Sequence, residues 1–281
     1  MFDALKARIR ELEAECQRLR EENLSLKAKE AGPSSCAPSV SEADVTHLSA
    51  SEEKIALFRE LFRGRRDVYP VRWDNPDGRS GYAPAYKRKR GGFVPKEDRE
   101  FLPVTDDTIR HHLSGEITMG VYPILLDETC CFLAADFDKR TWKKDCVAFL
   151  ESCDSLGVPA SLECSRSGNG GHIWIFFREA VPASLARKLG ALILTHCMAA
   201  RPELGLDSYD RFFPSQDTLP KGGFGNLIAL PLQKHPRSHG GSVFLDRDFV
   251  PFPDQWAFLS EVERMPAFDV EDIVSKAASM G

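Results

Sequence analysis

Residues 159–177, PASLECSRSGNGGHIWIFF, limit the fold more than any other stretch. Two strand-like runs, PASLECSRS and GHIWIFF, are separated only by a tight glycine-containing turn. So short a link joins antiparallel neighbours, because a parallel crossover needs a dozen or more residues. The layout is therefore α+β with antiparallel pairing rather than a doubly wound parallel sheet. Around this hairpin the chain alternates helical and extended patterns. A capped helix, TDDTIRHHLSG, precedes strands GVYPILL and TCCFLAADFD and the helix KKDCVAFLESCDSLG. After the hairpin come the helix PASLARKLGALILTHCMAARP, short strands around NLIALPLQ and SVFLDRD, and a final helix around DQWAFLSEVERM.

The 281 residues, 42% hydrophobic, suffice for one large core with appendages. The net charge of −5 gives no global basic field, so any nucleic-acid site must be a local patch. Eight cysteines form no C-x-x-C pair and read as reduced thiols of a cytoplasmic protein. No apolar leader and no run of 18 apolar residues is present, so secretion and membrane association are not expected.

Three regions follow. In residues 1–30, Leu5, Leu12, Leu19 and Leu26 stand seven apart, with Ile9, Cys16 and Asn23 interleaved. That seam suits a two-stranded parallel coiled coil and hence a homodimer; an amphipathic helix docked on its own domain fits the same pattern. Residues 31–50, rich in Ala, Ser and Pro, read as a flexible linker. A catalytic domain is expected over 51–270, its first helix capped by Ser51. Between Gly64 and Glu100 ten Lys or Arg residues interleave with Tyr69, Trp73, Tyr82 and Tyr86 in a turn-rich stretch. Arg65, Arg66, Arg72, Lys87, Arg88, Lys89 and Arg90 are candidate nucleic-acid contacts there, although a solvated loop has the same composition.

Three stretches carry chemistry. In CFLAADFDKR, Asp136 and Asp138 share one strand face while Phe137 takes the other. Adjacent carboxylates stay ionised most readily around a divalent cation; two acids exposed where a strand ends is the plainer alternative. In SRSGNGGH, Ser165, Ser167, Gly168 and Asn169 form a turn, with His172 opening the next strand. Backbone N–H groups, two hydroxyls and an imidazole make a candidate triphosphate cradle. The Lys and Ser or Thr of a Walker A loop are missing. Residues 207–234 add Asp210 and Asp217 as a further acid, Gln216 and Asn226 as base or sugar contacts, and Lys221 and Lys234 for phosphates.

The strings AADFDK, SRSGNGGHIWIFF, YDRFFPSQD and GGFGNLIALPLQ, in that order, resemble the archaeo-eukaryotic primase (primase-polymerase) superfamily. They are most similar to the primase domain of TOTE conflict systems and to CRISPR-associated primase-polymerases, over roughly residues 51–265. The resemblance implies a two-layered, RRM-like antiparallel sheet with flanking helices. It implies a two-metal, template-directed nucleotidyltransferase, a DNA primase or polymerase extending a 3′-hydroxyl in a conflict or defence system. Asp136, Asp138 and a third acid would bind two Mg²⁺ or Mn²⁺ ions. Asp217 is the preferred third acid, since GNLIALP follows it at the family's interval, and Asp210 is its rival. His172, Ser167 and the turn backbone would hold the phosphates of a dNTP or NTP, and DNA template and primer would be the partners. Relatives carry cysteines after the segment matching Ser80–Pro84; here KRKRGGF stands in their place, so no zinc is expected. Such proteins often continue into a helicase, which makes a helicase a further expected partner. A catalytically inactive nucleic-acid-binding dimerisation module is the competing reading, and a metal-dependent nuclease a third.

Overall fold

The computed structural model describes residue 18 and residues 44–87, 94–203 and 205–280. Residues Met1–Glu42 and Ala43–Gly281 form separate units. The expected coiled coil of residues 1–30, Arg18 apart, and the linker as far as residue 43 lie outside the described residues. The end of that linker belongs to the folded unit: the His47 N–H donates to Asp254 Oδ2 at 2.8 Å, and Lys54 Nζ to the His47 carbonyl at 2.7 Å.

Helix α1 spans Ser51–Leu61. Its cap is Ala50 rather than Ser51, with the Glu53 carboxylate accepting the Ala50 N–H at 2.9 Å. The basic stretch after it contains more regular structure than its turn-rich sequence suggests. Strands β1 (Pro70–Asp74) and β2 (Ser80–Pro84) form an antiparallel hairpin in which Arg72 opposes Tyr82 and Trp73 opposes Gly81. Polar residues on both faces hid the alternation that marks a strand. Helix α2 (Asp106–Ser114) is capped by Thr105, as its sequence signals, and ends at left-handed Gly115. Strand β3 is only Gly120–Val121 and pairs with the equally short β8, Ile228–Ala229. Pro123 and Pro231, which cannot donate to a ladder, follow closely in each segment.

The main sheet is built from β4 (Thr129–Phe137), β5 (Ser161–Cys164), β6 (Gly171–Pro182), β7 (Tyr209–Phe213), β9 (Val243–Leu245) and β10 (Arg264–Met265). Its order is β7-β4-β6-β5-β9, all antiparallel, and β10 adds alongside β6 in parallel. Helices α3 (Trp142–Ser155) and α4 (Ala183–Ala200) follow β4 and β6; α5 (Lys234–Arg237) and α6 (Gln255–Ser260) are short. The last helix, α7 (Ala267–Met280), was not legible in the sequence.

Both faces of the sheet are covered, which is why β4 reads as an almost unbroken apolar run. Leu133, Ala135 and Phe137 share one cluster with Ile173, Ile175, Phe149 of α3 and Leu189 of α4. Phe132 and Ala134 share the other with Trp174, Phe176, Phe58 and Phe62. Truncating fully buried Phe137 to Ala would cost about 3–5 kcal/mol. Asp136 falls on the face of Phe132 and Ala134, at the strand end where apolar cover runs out. All six described cysteines are buried and unpaired. Among the described residues no helix is long and apolar enough to cross a membrane.

Candidate active site

Three strands meet at Asp136. It lies opposite His172 of β6 on one side and Arg211 of β7 on the other. His172 in turn opposes Glu163 of β5, so register alone lines up Glu163, His172, Asp136 and Arg211 across the sheet. His172 Nε2 stands 3.6 Å from Asp136 Oδ1, an ion-pair distance longer than a hydrogen bond. Its Nδ1 is 2.9 Å from Glu163 Oε2, which also accepts the Trp174 indole N–H at 2.7 Å. Burial pushes the imidazolium pKa down, but the carboxylates of Glu163, Asp136 and Asp138 outweigh it and hold His172 up at about 9. A cation at neutral pH therefore sits beside the acid pair. Burial likewise pushes the Asp136 carboxyl up, and the charges of Asp138 and Asp210 add to it against His172 and Arg211, to about 6.

Asp210 reaches this cluster through an irregularity. The β4–β7 register slips between Asp136 and Phe137, which pair with Arg211 and Tyr209, leaving Asp210 as the extra residue of a bulge. Its carboxylate meets Arg211 Nε at 2.6 Å. Asp217 lies elsewhere: it pairs with Arg187 of α4, and two residues on, the Leu219 N–H donates to Glu128 Oε1 at 3.1 Å. Glu128 precedes β4, eight residues from Asp136, or roughly 25 Å at ~3.3 Å per residue. Asp210, not Asp217, is the acid brought to the pair.

The glycine turn stands against the second acid. A Cβ on Gly170 would lie 2.6 Å from Asp138 Oδ1, 2.7 Å from the Phe137 carbonyl oxygen and 3.3 Å from Ser165 Oγ. Only glycine lets the turn approach the carboxylate so closely. Asp138, Lys139, Arg140 and Trp142 then line an open cleft of about 560 Å³ with Ser167 and Asn169. Part of the turn's donor capacity is spent internally, the Gly168 N–H on Ser165 O at 3.0 Å and the Asn169 N–H on Ser167 Oγ at 3.3 Å. Ser165 Oγ and Ser167 Oγ are 3.1 Å apart.

Acid pair, imidazole and turn thus occupy one sheet end, in the order the sequence presents them. Residues 53–273 match the model of the TOTE conflict system archaeo-eukaryotic primase domain. The chain belongs to that family. No curated protein matches it. Among solved structures it is similar to the polymerase domain of Mycobacterium tuberculosis ligase D in complex with DNA, at 11% identity and a TM-score of 0.40, over 86% of this chain and 95% of that one. Membership of a primase family supports nucleotidyl transfer as the general activity of this primase domain.

The other candidate residues are dispersed. Asn226 is committed to structure, its Oδ1 accepting the Ser215 N–H at 3.1 Å and its Nδ2 donating to Phe212 O at 3.3 Å. Gln216 and Lys221 are exposed in the loop beyond β7, and Lys234 opens α5. Arg65 is buried in an ion pair with Asp67, Arg72 pairs with Asp74, Lys87 with Glu100, and Arg66 is exposed. Arg88, Lys89 and Arg90 lie outside the described residues.

Several residues of the primase domain were missed. Glu163 orients His172. Buried Asp145 of α3 accepts the Ser208 N–H at 3.2 Å and its hydroxyl, while the Ser208 carbonyl accepts the Asp138 N–H at 2.7 Å. That chain of bonds fixes the start of β7 against the acid pair. Glu163 alternates with Leu162 and Cys164 on a strand and could have been singled out as an acid with no solvent face; nothing in the sequence pairs Asp145 with Ser208. Among the described residues no three His, Cys, Asp or Glu side chains are already gathered as a metal site. Asp136 and Asp138 nevertheless offer hard oxygen ligands of the kind Mg²⁺ and Mn²⁺ prefer, and Asp210, paired with Arg211, adds its charge to theirs at Asp136.

Proposed function

We propose that the domain is a template-directed nucleotidyltransferase that adds nucleotides to a 3′-hydroxyl on DNA, with Asp136, Asp138 and Asp210 at its reaction centre. The observation that carries this reading is the cluster in which Asp136, its carboxyl pushed up to about 6, stands 3.6 Å from a His172 held cationic by Glu163, beside the Ser165–Gly170 turn. Mg²⁺ or Mn²⁺ ions bound there would neutralise the charge developing on the transferring phosphoryl group. The chain's own part is positioning and electrostatics.

His172 is a donor at both nitrogens when charged. Nδ1–H is spent on Glu163, and Nε2–H faces the acid pair, where a triphosphate oxygen would compete for it. Ser167, Lys139 and Arg140 line the cleft beside Asp138 and would meet the same triphosphate. Asp210 serves as the third acid in this reading, and Asp217 has no role in the chemistry. Arg72 on the β1–β2 hairpin contributes to template contact: with Arg166 of the glycine turn it acts electrostatically on Tyr82, so hairpin and turn face each other. The family's description as a conflict-system primase supports use of the product in contests between mobile elements and their hosts.

The test is primer extension by the full chain with a primer-template, dNTPs and Mn²⁺. Extension that vanishes in Asp136→Asn supports the reading. Inert binding would replace it with a non-catalytic nucleic-acid module, and shortening of the primer with a nuclease.

A further inference from the structure

Arginines gather on a second site, just after α1. Arg63, Gly64, Arg65 and Arg66 run between two cavities. One, of about 300 Å³, has Phe58, Phe62, Met119 and Leu230 in its wall; the other, an open cleft of about 510 Å³, is lined by Asp67, Leu125, Leu126 and Asp127. The segment is pressed onto its neighbour. The Arg65 N–H donates to the Tyr122 carbonyl at 2.9 Å, and a Cβ on Gly64 would stand 2.3 Å from that oxygen.

Two of the four arginines around the first cavity are neutralised: Arg59 pairs with Asp106, and Arg65 with Asp67 while facing the Phe224 ring at 5.5 Å. Arg63 donates from Nε to Cys131 Sγ at 2.9 Å, which leaves its terminal nitrogens over. Among the described residues neither Arg63 nor Arg66 has a carboxylate partner. Cys131 lies five residues before Asp136 on β4, ~16 Å away at ~3.3 Å per residue, so the pocket is separate from the acid pair.

We propose that this pocket binds a nucleoside phosphate outside the reaction centre, its phosphate on Arg63 and Arg66 and its base in the aromatic-walled lobe. Two guanidinium groups with no carboxylate at ion-pair distance favour an anion between them, although Asp67 and Asp127 line the outer cavity, and guanidinium forks match phosphate oxygens in pairs. The apolar wall adds a second requirement that inorganic phosphate does not meet, and the volume lies at the small end of ligand sites. Choosing a nucleotide among ring-bearing phosphates rests on the proposed nucleotidyl transfer. A free nucleotide and the 5′-terminal nucleotide of a strand present the same chemistry.

Titration calorimetry with the full chain in EDTA tests this, using AMP, inorganic phosphate, and a ten-nucleotide DNA with a 5′-phosphate or a 5′-hydroxyl. AMP is expected to bind at least tenfold more tightly than inorganic phosphate, to bind Asp136→Asn equally, and to lose at least tenfold in Arg66→Glu and in Arg63→Lys. Melting curves check that the variants fold, and exposed Arg66 gives one that should. AMP binding with displacement by the 5′-phosphorylated strand alone identifies a strand end; AMP binding without displacement identifies a free nucleotide. Absent AMP binding, AMP no tighter than phosphate, or an affinity that tracks Asp136 and ignores both arginines overturns the proposal. Primer extension is scored separately, so the two readings fail independently.

Discussion

Glu163 holds His172 through Nδ1 at 2.9 Å, with the same carboxylate oxygen taking the Trp174 indole N–H. This buried acid is what keeps an otherwise desolvated imidazole charged. The folded-state pKa, about 9, lies above the ordinary imidazole value of 6.5, so the pair's stabilisation is complete below 6.5 and is lost as pH rises through about 9. Glu163→Gln removes the main raising influence and leaves burial, the largest effect and a lowering one, opposed only by the weaker charges of Asp136 and Asp138. The variant's nucleotide KM should rise tenfold or more at pH 8 and much less at pH 6, while wild-type KM stays level between them. A defect equal at both pH values would mean that Glu163 supports packing rather than charge.

Asp136 has the opposite sign. Its carboxyl is pushed up to about 6 from the ordinary carboxylate value of 3.8, so ionisation works against the metal-free fold as pH rises through that window. In EDTA at pH 7.5, Asp136→Asn should stabilise the domain by about 1–3 kcal/mol, raising its melting temperature while abolishing extension. For the wild type, proton and ion compete for the same oxygens. Mn²⁺ affinity measured by calorimetry should therefore fall about tenfold per pH unit below 6. Level affinity from pH 5 to 7 would put the ions elsewhere.

What the sequence disclosed follows a physical division. Asp136, Asp138 and His172 were legible because strand alternation is local: each sits at the end of an apolar run whose period fixes its face. Glycines between two strands fixed the hairpin for the same reason. The sequence favours Asp217 over Asp210 because the β-bulge at Asp210 depends on the partner strand and leaves no periodic trace. Asp217 looked better placed in sequence, yet the chain leaving β7 carries it toward the other end of β4. The sequence offers Asn226 as a base or sugar contact, and it gives no sign that the amide closes the loop onto Phe212 and Ser215, a bond no pattern announces.

Asp210 and Asp217 can be separated directly. Asp210→Ala should lower extension by a hundredfold or more with little change in stability, its carboxylate being partly exposed. Asp217→Ala should extend like wild type, since it breaks only an exposed pair with Arg187, of a kind that contributes about 0–1 kcal/mol. Reversed results in a steady-state extension assay would return the third acid to Asp217.

Arg211 is the internal counter-ion of the acid cluster. It pairs with Asp210, and its pKa is raised first by that bond and then by the charges of Asp210, Asp136 and Asp138. A guanidinium in that field competes with any divalent ion for the same carboxylates. Arg211→Ala should therefore strengthen Mn²⁺ binding several-fold in calorimetry and lower the melting temperature in EDTA. Weaker binding in the variant would show that Arg211 helps to assemble the cluster instead of guarding it.

Gly170 offers the sharpest probe of how turn and acid pair cooperate. A methyl there would fall 2.6 Å from Asp138 Oδ1 and 2.7 Å from the Phe137 carbonyl, contacts that something must relieve. Phe137 is fully buried and its backbone is laddered to Gly171, so it has little room to move. The exposed Asp138 carboxylate is the part free to yield. Gly170→Ala is thus expected to displace Asp138 while the core stays intact, and kcat for extension should fall at least tenfold with a melting temperature within a few degrees of wild type. A collapse of stability instead would mean that the strand, not the carboxylate, gave way, and that the close approach serves the fold.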